Sequence, residues 1–179
     1  AMECPRLSAL ADFATAHLGK LAAPPVAASA DASFRSYWRV RADGRSWILM
    51  DAPPDKEDVG PWLDIARRLR AAGLNAPEVR AEDRAQGFLL LSDLGTRTYL
   101  PELSESTVDS LYGDALDALF LMQTKVDSSG LPAYDAARLT TEMELYETWF
   151  LRRHLGHECS CDETDVIEAT MTRLLASAA

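Results

Sequence analysis

The chain has 179 residues, 47% of them hydrophobic, with 9 glycines and 9 prolines, enough to bury the core of one ordinary domain or of one domain and part of another. Its 28 acidic against 18 basic side chains leave a formal charge of −10, which disfavours nucleic acid and anionic lipid as partners and leaves local cationic spots for nucleotide-sized anions. No apolar run approaches the roughly 20 residues that cross a bilayer, and no secretory core is present, so no membrane partner and a cytoplasmic location are expected.

In chain order, Leu7, Leu10, Ala11, Ala14 and Leu18 recur at helical spacing and predict a short amphipathic helix from Pro5 to His17. Leu21 to Ala30, with Pro24-Pro25 and several alanines, lacks periodicity and reads as a linker or loop. Ser33 to Arg41 alternates, with Phe34, Ser36, Trp38 and Val40 on one face and Arg35, Tyr37, Arg39 and Arg41 on the other. That pattern predicts a half-buried strand. Asp43-Gly44 is a hairpin turn into a second strand, Ser46 to Met50, which Pro53-Pro54 ends.

Pro61 to Ala72 carries Trp62, Ile65, Leu69 and Ala72 on one stripe and stops at Gly73, a helix with a left-handed cap. Pro77 to Ala81 and Gly87 to Leu91 then read as two strands. Beyond Gly95 the pattern is helical: Ser106 to Asp109 resembles a capping box leading into Val108 to Met122. A long helix from Asp135 to Leu155 is expected, with Leu139, Met143, Tyr146, Trp149 and Phe150 facing inward, and another from Asp162 to Ala178. The fold class is therefore α+β, with strands confined to the first half and a module change between Gly95 and Pro101.

Phosphate-loop, dinucleotide, nucleophile-elbow and zinc-peptidase motifs are all missing from the sequence. His154, His157, Cys159 and Cys161 offer four N/S donors within eight residues, but the tight Cys-x-Cys spacing makes a polar loop with reduced thiols the favoured reading. Cys4 completes an odd set of three cysteines, which argues against a disulfide framework. Acidic residues such as Asp55, Glu57 and Asp58 read as solvated loop. Ser29 to Val40 is more suggestive: small residues feed a strand that begins with Arg35, whose guanidinium can bridge two phosphate oxygens.

Taken together, Asp31 to Val40, Met50-Asp51-Ala52-Pro53-Pro54, Gly73 to Pro77, Gly87 to Tyr99 (through Leu91-Ser92-Asp93-Leu94-Gly95) and Glu142 to Phe150 resemble the aminoglycoside-phosphotransferase-like kinases. The resemblance is strongest to their bacterial branch of cell-wall amino-sugar kinases, which phosphorylate N-acetylmuramate and N-acetylglucosamine at the anomeric position in peptidoglycan recycling. It implies a protein-kinase-like small lobe over residues 1–95 and the helical start of a large lobe over 96–179. It also implies ATP and Mg²⁺ as cofactors, with Ser33, Phe34 and Arg35 near the phosphates, Val40 and Leu91 lining the adenine pocket, and the backbone of Ser92 and Leu94 as hinge.

Two features depart from that pattern. Met50 stands where such kinases place a phosphate-gripping Lys, with Arg35 or Arg39 as conceivable substitutes. No His-x-Asp occurs anywhere, so the catalytic loop and the Mg²⁺ ligands are expected outside this chain, which alone should be inactive and prone to self-association. The rival expectations are a non-catalytic nucleotide-binding module and an interaction module whose exposed helices dock a partner.

Overall fold

A computed structural model of the chain describes residues 5–30 and 33–178. The Asp31-Ala32 part of the loop and Cys4 lie outside the described residues. By its own contacts the chain forms two units, Ala1–Asp127 and Ser128–Ala179.

In the first unit, α1 (Pro5–Leu18) precedes β1 (Val26–Ala30), β2 (Ser36–Ala42), β3 (Arg45–Asp51), α2 (Val59–Ala71), β4 (Val79–Asp83) and β5 (Phe88–Ser92). The short α3 (Tyr99–Glu102) and the long α4 (Val108–Lys125) complete it. The five strands form one antiparallel sheet in the order β1-β2-β3-β5-β4. Asp43 (φ 47°) and Gly44 (φ 72°) both take positive φ in the β2–β3 turn, as a tight hairpin requires.

Each face of the sheet packs against a helix. One face holds Val40, Leu49, Phe88 and Leu90 against Leu10, Phe13 and Ala14 of α1. The other holds Met50, Leu89 and Leu91 against Val59 and Leu63 of α2, with Tyr37, Ile48 and Trp62 packed around them. Period-two alternation therefore sends Trp38 and Val40 to the α1 face and Tyr37 to the α2 face; Val40 and Ala42 are buried, Arg41 is exposed and Ser36 to Arg39 are half-buried, the half-buried strand its sequence predicts. Arg6 of α1 donates to the carboxylate of Asp51, which is 9% exposed, and its guanidinium stacks 5.0 Å over Phe88, anchoring the first helix to the end of β3.

Three expectations are corrected. Val26–Ala30 is a strand rather than loop, because its backbone pairs with Ser36 to Arg39 and so needs no apolar side chains of its own. Thr107 precedes α4 but makes no side-chain cap; its hydroxyl donates instead to the Glu102 carbonyl at 2.7 Å. Asp58 is no idle surface acid, since its side chain accepts from Gly60 N–H at 2.8 Å at the start of α2.

The second unit contains α5 (Ala136–Leu145), a π-helical segment (Tyr146–His154) and α6 (Cys161–Ala178). The single long helix expected there changes pitch at Tyr146, marked by the five-residue bond from Leu155 N–H to the Phe150 carbonyl at 3.0 Å. Tyr146, Trp149 and Phe150 are exposed rather than inward, as are the apolar stripes of the regular helices α4 and α6, because nothing in the described residues covers them; Tyr146 stacks on Phe150, and Trp149 lies under Arg153.

Candidate functional site

The α2 face of the sheet is filled by α2 at one end and left open at the other. The opening is a cleft of about 630 Å³, within the ordinary range for small-ligand sites. Tyr37, Ile48, Trp62 and Leu91 supply apolar wall; Ser29 of β1 and the backbone from Ser92 to Thr96 form its rim. Strand spacing produces this wall, since Tyr37 on β2, Ile48 on β3 and Leu91 on β5 share one face, and Ile48 pairs directly with Leu91.

The rim is held by one dense polar knot. From β2, Arg39 reaches over β3 to Asp93: Nε donates to Oδ2 at 2.6 Å and Nη2 to Oδ1 at 3.1 Å. Ser46 Oγ of β3 donates to Oδ2 at 2.5 Å, and Gly95 N–H donates to Oδ1 at 2.9 Å. Arg39 Nη2 also donates to the Gly95 carbonyl at 3.3 Å, which the positive φ of Gly95 (96°) turns towards it. The pair is largely out of water, with side-chain exposures of 23% and 8%. The Arg39 hydrogen bonds hold the Asp93 carboxyl well below the usual carboxylate range against the opposing effect of desolvation, with Ser46 and Gly95 adding to the shift. A bidentate guanidinium clamp of this kind fixes the segment after β5 relative to β2 and β3.

The residues singled out from the sequence fall in three places. Leu91, Ser92 and Leu94 line the cleft; the Ser92 N–H is already spent on the Glu78 carbonyl at 2.9 Å, whereas Leu94 is exposed at the rim. Ser33, Phe34 and Arg35 sit in the β1–β2 loop. There Ser33 Oγ accepts from the Arg35 N–H at 3.2 Å and Nε at 3.0 Å, while Phe34 N–H donates to Glu57 at 3.3 Å and the Phe34 ring lies under the Lys56 ammonium. Val40 is separated from the cleft by the sheet itself, because its even position on β2 points it into the α1 core.

Met50 is fully buried with Val59, Leu63 and Leu89, so no side chain at that position reaches solvent without unpacking α2. Among the described residues, Arg39 and not Arg35 is the cation that lines the cleft, and it is committed to Asp93. Sequence reasoning missed the Arg39–Asp93–Ser46 knot; the signal was the placement of Arg39 on the same strand face as Tyr37, opposite Asp93 across β3. Among the described residues, Asp93 is the sole carboxylate lining the cleft and its oxygens are taken, so this cleft does not present a ligand set for Mg²⁺. Its apolar wall and polar rim do suit a flat heteroaromatic ring.

Comparison with known proteins gives the same direction. The model of the phosphotransferase enzyme family matches residues 26–179. N-acetylmuramate/N-acetylglucosamine kinase of Pseudomonas aeruginosa is 50% identical over 134 residues, covering 74% of this chain and 39% of the relative. The kinase of that name in Pseudomonas putida is 43% identical over 148 residues (83% of this chain, 42% of the relative), and that of Neisseria meningitidis serogroup B is 35% identical over 153 residues (83% and 45%). The chain thus spans less than half the length of these relatives. Among solved structures, a Ralstonia eutropha protein carrying the provisional name of an aminoglycoside phosphotransferase superposes with a TM-score of 0.53 at 18% identity, over 80% of this chain and 49% of that one. That likeness establishes the kinase-like fold.

Proposed function

Because the chain belongs to the phosphotransferase enzyme family, we propose that it is the N-terminal part of an ATP-dependent kinase acting on a cell-wall amino sugar. The acceptor is N-acetylmuramate or N-acetylglucosamine, phosphorylated at the anomeric hydroxyl during peptidoglycan recycling; the names of the relatives support this class.

The observation that carries the reading is the cleft on the α2 face, with an apolar wall of Tyr37, Ile48 and Leu91 and a rim clamped by Arg39 and Asp93. Adenine inserts against that wall, and the backbone at Leu94 meets its edge. Residues 1–95 act as the small lobe and residues 96–179 begin the large lobe. The triphosphate runs towards the β1–β2 loop, where Arg35 must exchange its bond to Ser33, and the Phe34 N–H its bond to the Glu57 carboxylate, for phosphate oxygens. Mg²⁺, which neutralises phosphate charge when bound, takes its ligands from the rest of the protein, as does the group that orients the sugar hydroxyl. Residues 1–179 alone bind nucleotide and transfer no phosphate.

The burial of Met50 where kinases keep a Lys favours a second reading, a nucleotide-binding protein that does no transfer even at full length. Phosphorus NMR of the full-length protein with MgATP and N-acetylmuramate separates the two. An anomeric sugar phosphate supports the kinase, whereas nucleotide binding with no sugar phosphate after prolonged incubation supports the second reading.

A further inference from the structure

The π-helical segment ends at His154, and the chain turns through Gly156 into α6. In this turn His157, Cys159 and Glu163 bring an imidazole nitrogen, a sulfur and a carboxylate oxygen within 4.8 Å of one another. This set differs from the one the sequence suggests: the His154 ring stacks on Phe150 instead, and Glu163 enters from the first turn of α6.

Glu163 is held in place before any ion arrives. Ser160 N–H and Oγ donate to its Oε2 at 2.9 and 3.0 Å, and Glu163 N–H donates back to Ser160 Oγ at 3.3 Å, the reciprocal pattern of a capping box. The box aims the carboxylate at His157, whose Nε2 stands 3.2 Å from both oxygens. In tetrahedral zinc, bonds of 2.0–2.1 Å set nitrogen and oxygen donors about 3.3 Å apart, so this pair already has the spacing of one tetrahedral edge. Cys159, half-buried on the loop, has its sulfur within 4.8 Å of both and closes the triangle by a small inward movement. A dication bound here takes the thiol as a thiolate directly.

We propose that His157, Cys159 and Glu163 form a binding site for a soft divalent transition ion of the zinc class, tying the loop after the π-helical segment to the start of α6. The thiolate and imidazole select against Mg²⁺ and Ca²⁺, and water completes the tetrahedron. The site is independent of the nucleotide cleft and stands or falls separately from the kinase reading.

The test is metal titration of the reduced, chelator-treated chain, with Zn²⁺ against a chromophoric competitor and with Co²⁺ by absorption. One equivalent of Zn²⁺, an intense tetrahedral Co²⁺ spectrum and a thiolate-to-cobalt charge-transfer band are expected. Cys159→Ser should remove that band. His157→Ala and Glu163→Gln should each weaken Zn²⁺ by about tenfold or more; the Gln variant preserves the capping box and keeps loss of a ligand distinct from loss of the helix start. Mg²⁺ in large excess should not displace the Co²⁺ spectrum. Zn²⁺ affinity unchanged in Cys159→Ser and Glu163→Gln, or a charge-transfer band that survives Cys159→Ser, would overturn the assignment.

Discussion

At the level of single residues, the Arg39–Asp93 pair sets the geometry on which the cleft depends. Both partners are mostly buried, so removing one leaves the other charge poorly solvated, and Arg39→Ala or Asp93→Asn should cost about 2–3 kcal/mol in urea denaturation. The Asp93 carboxyl titrates below its ordinary value in the folded chain. Its contribution is therefore complete above the unfolded value of about 4 and is lost as pH falls below it. Between pH 5 and pH 3 the parent should lose more stability than Asp93→Asn; parallel losses would show that the clamp contributes nothing. Gly87 makes the sharpest steric demand. It has φ 73°, and a Cβ there would stand 1.8 Å from the backbone oxygen of Ala52, which belongs to the turn that ends β3. Gly87→Ala should destabilise by more than about 3 kcal/mol, read from the same denaturation curves. At the loop, Glu57→Gln removes a negative charge from the Phe34 N–H and should tighten ATP binding severalfold by calorimetry; unchanged or weaker binding would place the phosphates elsewhere.

At the level of elements, what could be read from the sequence depended on whether a segment's own side chains carry its structure. Helix α2 was legible because its stripe, its Pro61 and the Gly73 stop are all local signals. The β2–β3 hairpin was legible from Asp43-Gly44 for the same reason. Strand β1 was not, since Val26–Ala30 is held by partner backbone and carries almost no pattern. The π-helical segment escaped because 3.6-residue periodicity is the wrong ruler once the helix widens at Tyr146. Of the residues expected at the site, Leu91, Ser92 and Leu94 line the candidate cleft, as the recognisable Ser-Asp-Leu-Gly run at the strand end suggested, whereas Val40 faces the α1 core and Tyr37 and Ile48, which line the cleft, were passed over. Helix α1 contributes to the same sheet from the opposite side. Leu10 is fully buried between α1 and the sheet, so Leu10→Ala should cost about 2–5 kcal/mol while leaving nucleotide affinity within a factor of two. A large loss of affinity in the folded variant would mean that the two faces of the sheet are coupled.

At the level of the whole molecule, large apolar side chains stand exposed in each unit. Helix α4 shows Tyr112, Leu116, Leu119, Phe120 and Met122 to solvent, and the second unit shows Trp149, Phe150, Val166 and Leu174. No helix among the described residues is long and apolar enough to cross a membrane. Exposed apolar surfaces promote association, so light scattering of the 179-residue chain should give a mass above that of the monomer that rises with concentration. A monodisperse monomer across that range would contradict it. The proposed function rests above all on ATP entering the cleft bounded by Tyr37, Ile48, Leu91 and the Ser92–Gly95 rim, and amide chemical-shift mapping of a nucleotide titration tests this most directly. Saturable shifts are expected at Tyr37, Ile48 and Leu91 to Gly95, with smaller ones at Ser33 to Arg35 and none at His154 to Cys161; saturable shifts confined to His154 to Cys161, or none at the rim at millimolar ATP, would contradict ATP binding in this cleft.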